Sequence, residues 1–281
     1  MGDSAVNGIS ETTGRLALYL LMFFIFQYRY LLGLNYQDKV VYFDVGQGDA
    51  NLIVLNSDIT VLIDGGPLTD FVHKLQKRIK IDEKIDYVVL THPHEDHILG
   101  LIEILRRYSG FTLVLPTSCV NSEIYKELLR TSRAARTVYT DYFSIKADGG
   151  NKFEIKYGDT GISKCFSTQK DVNNSSVIVE IEYREKEFLF MGDVEKEREV
   201  KFINRYSLGN GVNILKAGHH CSNSSTSEIF LKAVSPDLII CSYGKDNVYG
   251  HPGSETLRRF NSFNVKHLDT VKEGDIIINL N

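Results

Sequence analysis

Apolar positions run unbroken from Leu16 to Phe26, are interrupted by Gln27, Tyr28 and Arg29, and resume from Tyr30 to Leu34. A run of this length crosses a bilayer only if Arg29 turns its guanidinium back toward the interface. No basic leader and no small-residue cleavage pattern accompany it, so residues 16–34 are expected to form an uncleaved membrane anchor rather than a signal peptide. An amphipathic helix packed on the domain or on a partner is the alternative, with a cytoplasmic location. Arg15 on one side and Arg29 and Lys39 on the other give no secure orientation.

From Lys39 the rhythm changes to short β-rich runs. Val40 to Phe43, Asn51 to Leu55 and Thr60 to Ile63 read as strands, separated by the turn-forming Gly46-Gln47-Gly48-Asp49 and Asn56-Ser57-Asp58. Asp70 to Lys80 has helical spacing, and Asp86 to Leu90 reads as a buried strand. Behind it Ile98, Leu101, Ile102 and Leu105 recur at the helical period and end at Arg106 and Arg107, which suit a helix C-terminus. The second half repeats strand, polar loop and helix. Strands are expected at Thr112 to Leu115 and near Val138, Phe153 and Phe166, then as a hairpin of Ser176 to Tyr183 with Glu187 to Met191, and at Asn213 to Lys216 and Leu238 to Ser242. Helices are expected at Ser122 to Ser132, Glu195 to Asn204 and Ser227 to Val234. No low-complexity linker follows Lys39, so residues 1–38 are read as a tail and residues 39–281 as one α/β domain of two related halves.

Composition narrows the class. The 281 residues are 43% apolar and 24% charged, which excludes disordered and fibrous chains. Lys+Arg 32 against Asp+Glu 36 gives a net charge of -4, so binding to a polyanion has to be local. Cys119, Cys165, Cys221 and Cys241 show no Cys-x-x-Cys spacing and are read as buried free thiols.

The histidines carry the chemistry. His92, His94, His97, His219 and His220 sit in two loops that each follow an expected strand. On an extended segment His92 and His94 point to one side, while Asp96 and His97 come from the turn where a helix begins. Imidazole nitrogen and carboxylate oxygen suit Zn²⁺ and are tolerated by Mn²⁺ or Fe²⁺, and the two pairs can serve two neighbouring ions. His73 and His267 are read as ordinary core or surface residues.

The His-x-His-x-Asp-His cluster at 92–97 resembles the signature of the metallo-β-lactamase superfamily. Further blocks make the chain most similar to the metallohydrolase domain of the ComEC competence proteins: Phe43 to Ala50, Leu62 to Gly66, Thr91 to Leu101, Asn173 to Ser176, Gly192 to Glu195, Leu215 to Ser222 and Tyr249 to Pro252. The resemblance implies a four-layer αββα sandwich with one or two divalent ions, Zn²⁺ or Mn²⁺, along one edge. It implies His92 and His94 as ligands of a first ion, Asp96 and His97 of a second, Asp193 bridging both, His219 completing the second, and Asp64 as a supporting carboxylate. Asp64 also reads as a turn residue before two glycines, and Asp193 as a helix N-cap.

Two departures stand out. No histidine lies between His97 and His219, where most members supply a third ligand for the first ion; this chain has Asn173-Asn174-Ser175-Ser176 there, which reads equally as a turn. Cys221 stands where the family usually has glycine. His220 and His251 are left for the substrate, donating to a phosphoryl oxygen or protonating a leaving group, with Ser222, Ser224, Ser225 and Lys216 nearby. The resulting expectation is a phosphodiesterase or nuclease using a metal-activated hydroxide, on nucleic acid or a small phosphodiester. Lys216, Arg198, Lys245, Arg258 and Arg259 are the local cations available for a phosphate backbone. The alternatives are a small-molecule hydrolase acting on a cyclic nucleotide, lactone or thioester, and a catalytically weak metal-binding module.

Overall fold

The computed structural model describes residues 14–25, 27–28, 37–55, 59–67, 70–79, 84–147, 153–158, 164–165, 169–206, 208 and 211–280. They fall into two compact units, Met1–Gln37 and Asp38–Asn281. In the first, helix α1 is described over residues 14–25 and presents exposed apolar side chains such as Leu18, Met22 and Phe24. Among the described residues no helix is long and apolar enough to cross a membrane. The expected spanning segment, residues 16–34, is therefore not seen among the described residues; residues 26 and 29–34 of it lie outside them.

The second unit begins with β1 (Lys39–Tyr42), β2 (Asn51–Leu55) and β3 (Ile59–Ile63), followed by α2 (Phe71–Arg78), β4 (Tyr87–Val89), α3 (Glu95–Arg107) and β5 (Thr112–Pro116). Next come β6 (Ser118–Cys119), α4 (Glu123–Thr131) and β7 (Arg136–Thr140). The second half runs β8 (Tyr142–Ala147), β9 (Phe153–Tyr157), β10 (Lys164–Cys165), α5 (Gln169–Asn173), β11 (Ile178–Tyr183), β12 (Lys186–Phe190) and α6 (Lys196–Arg205). It continues through β13 (Ile214–Lys216), α7 (Glu228–Val234), β14 (Leu238–Cys241), α8 (Ser254–Ser262), β15 (Lys266–Asp269), α9 (Thr270–Glu273) and β16 (Ile276–Asn279).

Among the described residues the strands form two seven-stranded sheets, ordered β16-β1-β2-β3-β4-β5-β7 and β15-β14-β13-β12-β11-β8-β9, with β6 and β10 as a small parallel pair. One face of each sheet meets the other across an apolar layer that includes Tyr42, Ile53, Val61, Phe143, Val179 and Phe188. Tyr42 stacks on Phe190 with centroids 5.6 Å apart. Alternation along the strands turns Leu189, Leu215 and Ile239 the other way, toward Phe202 of α6, Phe230 of α7 and Phe260 of α8. On the first sheet, Phe71 of α2 meets Phe43 edge-on at 5.3 Å. The chain is thus a mixed α/β fold of two sheets and flanking helices. Strand pairing also closes the first sheet with the C-terminal β16 against β1, in the register Val40↔Ile278.

The helix-side face of β11 carries Glu180 and Glu182, and Glu182 stands opposite Glu187 on β12. Burial, and then the neighbouring carboxylates of Glu187 and Glu182, push Glu180 up to about 7. A carboxyl whose folded value exceeds its unfolded one favours the native state below the unfolded value and loses that contribution as pH rises through the folded one. The domain is therefore expected to lose stability between about pH 4.5 and 7 on account of this group. Glu180→Gln should flatten that slope and raise stability by roughly 1–2 kcal/mol at pH 8, read from urea midpoints across the pH range.

Candidate metal centre

The centre lies where strands of both sheets end. After β4 the chain bends through Thr91, His92 and Pro93 instead of staying extended, with His94 N–H donating to the His92 carbonyl at 3.0 Å, and His94 precedes the first residue of α3 with φ -91° and ψ 154°. Asp96 and His97 then lie in the helix's first turn. That turn is docked on the loop after β3: Gly65 N–H donates to the His97 carbonyl at 2.9 Å and Gly100 N–H to that of Gly66 at 3.1 Å. The approach is close enough that a Cβ on Gly100 would collide with the Gly65 carbonyl, which requires glycine there.

This docking brings Asp64 beside His97. Asp64 occupies the left-handed region, φ 59°, and is fully buried. It accepts from Thr91 N–H at 2.8 Å, Thr91 Oγ1 at 2.7 Å and His97 Nδ1 at 2.8 Å. Bonding at Nδ1 fixes the imidazole so that Nε2 faces the centre. Asp64→Asn keeps the shape and removes the acceptor charge. It is expected to weaken divalent-ion binding about 10–100-fold, measured by metal titration.

Asp193 follows β12 through Gly192, whose φ is 53°, and its own N–H donates to Ser176 Oγ at 3.1 Å. It does not cap a helix, since α6 begins at Lys196 with Glu195 in the capping position. Its carboxylate instead divides the imidazoles. Oδ1 lies 3.5 Å from His97 Nε2 and 3.5 Å from His220 Nε2; Oδ2 lies 3.6 Å from His92 Nε2 and 4.0 Å from His219 Nε2. Asp96 Oδ2 is 3.3 Å from His220 Nε2, and His94 Nδ1 is 2.9 Å from His92 Nε2. Of the six residues expected to bind metal, His92, His97 and His219 thus face the Asp193 carboxylate, as does His220, while His94 contacts it only by way of His92 and Asp96 by way of His97 and His220; His94 and His219 are outside the described groups whose donor atoms all lie within 4.8 Å of one another. His251 stands further out, its ring 5.7 Å from His219 and 6.0 Å from His220. His267 packs against Phe260, away from the centre.

His97 Nε2, His220 Nε2 and Asp193 Oδ1 are buried and lack hydrogen-bond partners within the protein. Buried donors and acceptors are rarely left unpaired unless something else is to fill the space between them. Nitrogen and carboxylate oxygen are the donor set of a divalent transition metal, and the residues fit such an ion. Burial alone would lower His97, but Asp64, Asp193 and Asp96 together push it up to about 9. His220 is likewise raised, burial being outweighed by Asp193, Asp49 and Asp96. His92 moves the other way, neutralised by burial and then by the neighbouring His97. Asp96 is held below the usual carboxylate range: burial would raise it, but His97 and His220 prevail.

Several expectations change. The thiols are not free: Cys221 is disulfide-bonded to Cys241, Cα to Cα 5.6 Å, and Cys119 is disulfide-bonded as well. The geometry that joins β14 to the turn after β13 explains the first bond and was invisible in the spacing. Three of the expected phosphate-binding cations are engaged in the fold. Lys216 is buried with Nζ 2.8 Å from Asp49 Oδ2, Arg259 donates to the Thr226 and Ser225 carbonyls at 2.9 and 2.7 Å, and Arg198 pairs with Asp141 at 3.0 Å. Asp49 itself is the residue that sequence reasoning missed. It lies 3.4 Å from His220 Nδ1 and groups with Asp193 and His220; an Asp after Gly46-Gln47-Gly48 reads as turn chemistry, and only the buried lysine opposite it reveals more.

The centre floors a groove of about 980 Å³ whose lining includes Gln47, Asn121, Lys170, Glu195, Tyr249 and His251. Lys170 is paired with Glu197 at 2.8 Å.

A family model described as the metallo-beta-lactamase superfamily matches residues 43–244. ComE operon protein 3 of Bacillus subtilis (strain 168) is 26% identical over 283 residues, covering 91% of this chain and 34% of that protein. Recombination protein 2 of Haemophilus influenzae is 28% identical over 270 residues, covering 93% and 31% respectively. The chain therefore spans about a third of the length of these two relatives. Among solved structures, a mutant of CmlA beta-hydroxylase matches with a TM-score of 0.50 at 12% identity, covering 88% of this chain and 54% of that one, which shows a shared fold.

Proposed function

The chain belongs to the metallo-beta-lactamase superfamily, and from that premise we propose that it is a metal-dependent hydrolase of phosphodiesters, with nucleic acid as its first candidate substrate. The carrying observation is the buried Asp193 carboxylate with two imidazole nitrogens within 4.0 Å of each oxygen and no hydrogen-bond partner for Oδ1. His92, His94, Asp96, His97 and Asp193, with one or both of His219 and His220, would hold one or two divalent ions, Zn²⁺ or Mn²⁺. Bound there, such ions would supply Lewis acidity toward a phosphoryl oxygen and acidify a water molecule near neutral pH.

The chain's own groups do the rest. Asp64 holds the His97 ring in place through Nδ1. Burial, and then His220 and His219, lower His251 to about 4, so its imidazole is neutral at pH 7. Its N–H can donate to a phosphoryl oxygen at the groove wall, which orients the substrate without adding charge. An open groove admits a strand of nucleic acid, and the names of the two relatives, a competence-operon protein and a recombination protein, support that substrate class. With Lys216, Arg198 and Arg259 engaged elsewhere, affinity for phosphates falls to the ions, the groove's polar groups and the remaining cations Lys245 and Arg258. That engagement of three of the five expected cations favours, as a second reading, a small uncharged or singly charged substrate such as a lactone, thioester or cyclic nucleotide. Association with a membrane through residues 16–34 belongs to this proposal too, supported by the exposed apolar side chains of α1 and tested by co-flotation with vesicles.

The deciding experiment supplies Mn²⁺ or Zn²⁺ to the metal-free chain and offers DNA and RNA, cyclic nucleotides, a lactone and a thioester. Cleavage of nucleic acid that stops on chelation is expected. Turnover of the lactone or thioester alone establishes the second reading, and bound metal without any turnover establishes a binding module.

A further inference from the structure

Neighbouring histidines on a strand or helix point apart and seldom reach one centre together. Residues 219–221 avoid that by an unusual backbone: His219, His220 and Cys221 all take left-handed φ, 49°, 52° and 61°, a region that residues with a Cβ rarely occupy in succession. The turn is tied from several sides. His219 N–H donates to the Gly192 carbonyl at 2.9 Å, Gly253 N–H donates to the Cys221 carbonyl at 2.8 Å, and the Cys221–Cys241 bond anchors the turn to β14. Both imidazoles consequently face the centre, with ring centroids 6.3 Å apart.

Each ring is fixed through Nδ1. His219 Nδ1 lies 3.0 Å from Ser224 Oγ, and His220 Nδ1 donates to the Ser242 carbonyl at 3.1 Å. That leaves both Nε2 atoms turned to Asp193, but to different oxygens: His219 to Oδ2 at 4.0 Å, His220 to Oδ1 at 3.5 Å. Oδ2 is also the oxygen facing His92, which His94 accompanies, whereas Oδ1 faces His97, beside Asp96.

Resting on the reading of this centre as a hydrolase's metal site, we infer that the two histidines are divided between two ions: His219 joins His92, His94 and Asp193 Oδ2 at one position, and His220 joins Asp96, His97 and Asp193 Oδ1 at the other. The imidazole absent from the long stretch before residue 219 is thereby supplied by His219. Asn173, with Nδ2 3.4 Å from His219 Nε2 and 3.4 Å from Glu195 Oε1, stands beside that ring as a positioning residue. The assignment differs from the one implied by resemblance, in which His219 serves the second ion and His220 the substrate.

The test is metal content of the full chain after equilibrium dialysis against Mn²⁺ and, separately, Zn²⁺. Two ions per chain are expected for the wild type, one for His219→Asn and one for His220→Asn, with asparagine chosen because it tolerates left-handed φ. His219→Gln replaces the first variant if circular dichroism shows that it fails to fold. Double variants identify the partners. His219→Asn with His92→Ala strikes one position twice and should leave one ion; His219→Asn with His97→Ala strikes both and should leave none. Asn173→Ala should keep two. The Co²⁺-loaded chain gives an independent signature, since His219→Asn should remove only part of the visible absorption. The division is overturned if His219→Asn retains two ions, if Asn173→Ala loses one, if the two double variants behave in the reverse sense, or if the wild type holds a single ion. A wild type that holds none overturns the functional reading itself.

Discussion

Asp193→Ala is expected to empty the centre and reduce hydrolysis by roughly 10³-fold or more, since the ions carry the electrostatic stabilisation that such a site provides. The reason is position. This carboxylate is the only side chain that lies within 4.0 Å of His92, His97, His219 and His220 together among the described ion-pair contacts. Removing it takes one anion from between four imidazoles, leaving ions to be held by ligands whose mutual arrangement it had organised. Asp193→Asn separates charge from shape, because the amide keeps the volume and loses the negative oxygen. Metal content and kcat/KM measured side by side check the result. Two retained ions with turnover within tenfold of wild type would show that Asp193 is not central.

Lys216→Met should cost about 3–5 kcal/mol of stability, the usual consequence of leaving a buried charge without its partner. Lys216 and Asp49 are each about 1% exposed, and the ammonium donates to Asp49 Oδ2 at 2.8 Å and to the Ala217 carbonyl at 3.1 Å. Burial would raise Asp49, but Lys216 first and His220 next hold it well below the usual carboxylate range. Without Lys216 that carboxylate is left beside Asp193 and the raised His220, and the metal floor is disturbed as well. The melting temperature is expected to fall by roughly 10 °C or more. Asp49→Asn combined with Lys216→Met should recover part of the loss, because the stranded charge goes with it. Thermal unfolding of the three variants settles the point; a single-variant drop below about 2 °C is incompatible with a desolvated pair of this kind.

Much of this arrangement is legible from residue order, for identifiable reasons. The runs at Val40, Asn51 and Thr60 alternate or stay apolar over lengths that only strands have, and the cluster at 92–97 packs its donors too densely for coincidence. What escapes the sequence depends on distant partners. The strand Ile276–Asn279 is only four residues long, and helix Ser254–Ser262 turns the polar Thr256 and Arg259 inward beside Phe260, so both take their places from what they pack against. Phe166 was expected within a strand; the described strand there is Lys164–Cys165, and residue 166 lies outside the described residues. The roles of Asp49 and Lys216 are 167 positions apart in the chain. Cys221 and Cys241 carry no spacing signal, and the disposition of His219 and His220 follows from three backbone angles that no side-chain pattern announces.

The pairing of β16 with β1 has a bearing on how the polypeptide matures. Lys39↔Asn279 through Tyr42↔Ile276 join the opening strand of the domain to its closing one, and Asp275 beside that join receives Lys74 and Arg78 of α2 at 3.3 and 3.1 Å. During synthesis the outer edge of β1 has no neighbour until residues 276–279 have emerged to pair with it. Until then it is an open template for adhesion to other nascent chains. Completion of the first sheet thus waits on the last strand of the domain, and a chain lacking residues 275–280 would carry His92, His94 and His97 on a domain whose first sheet is still missing its border.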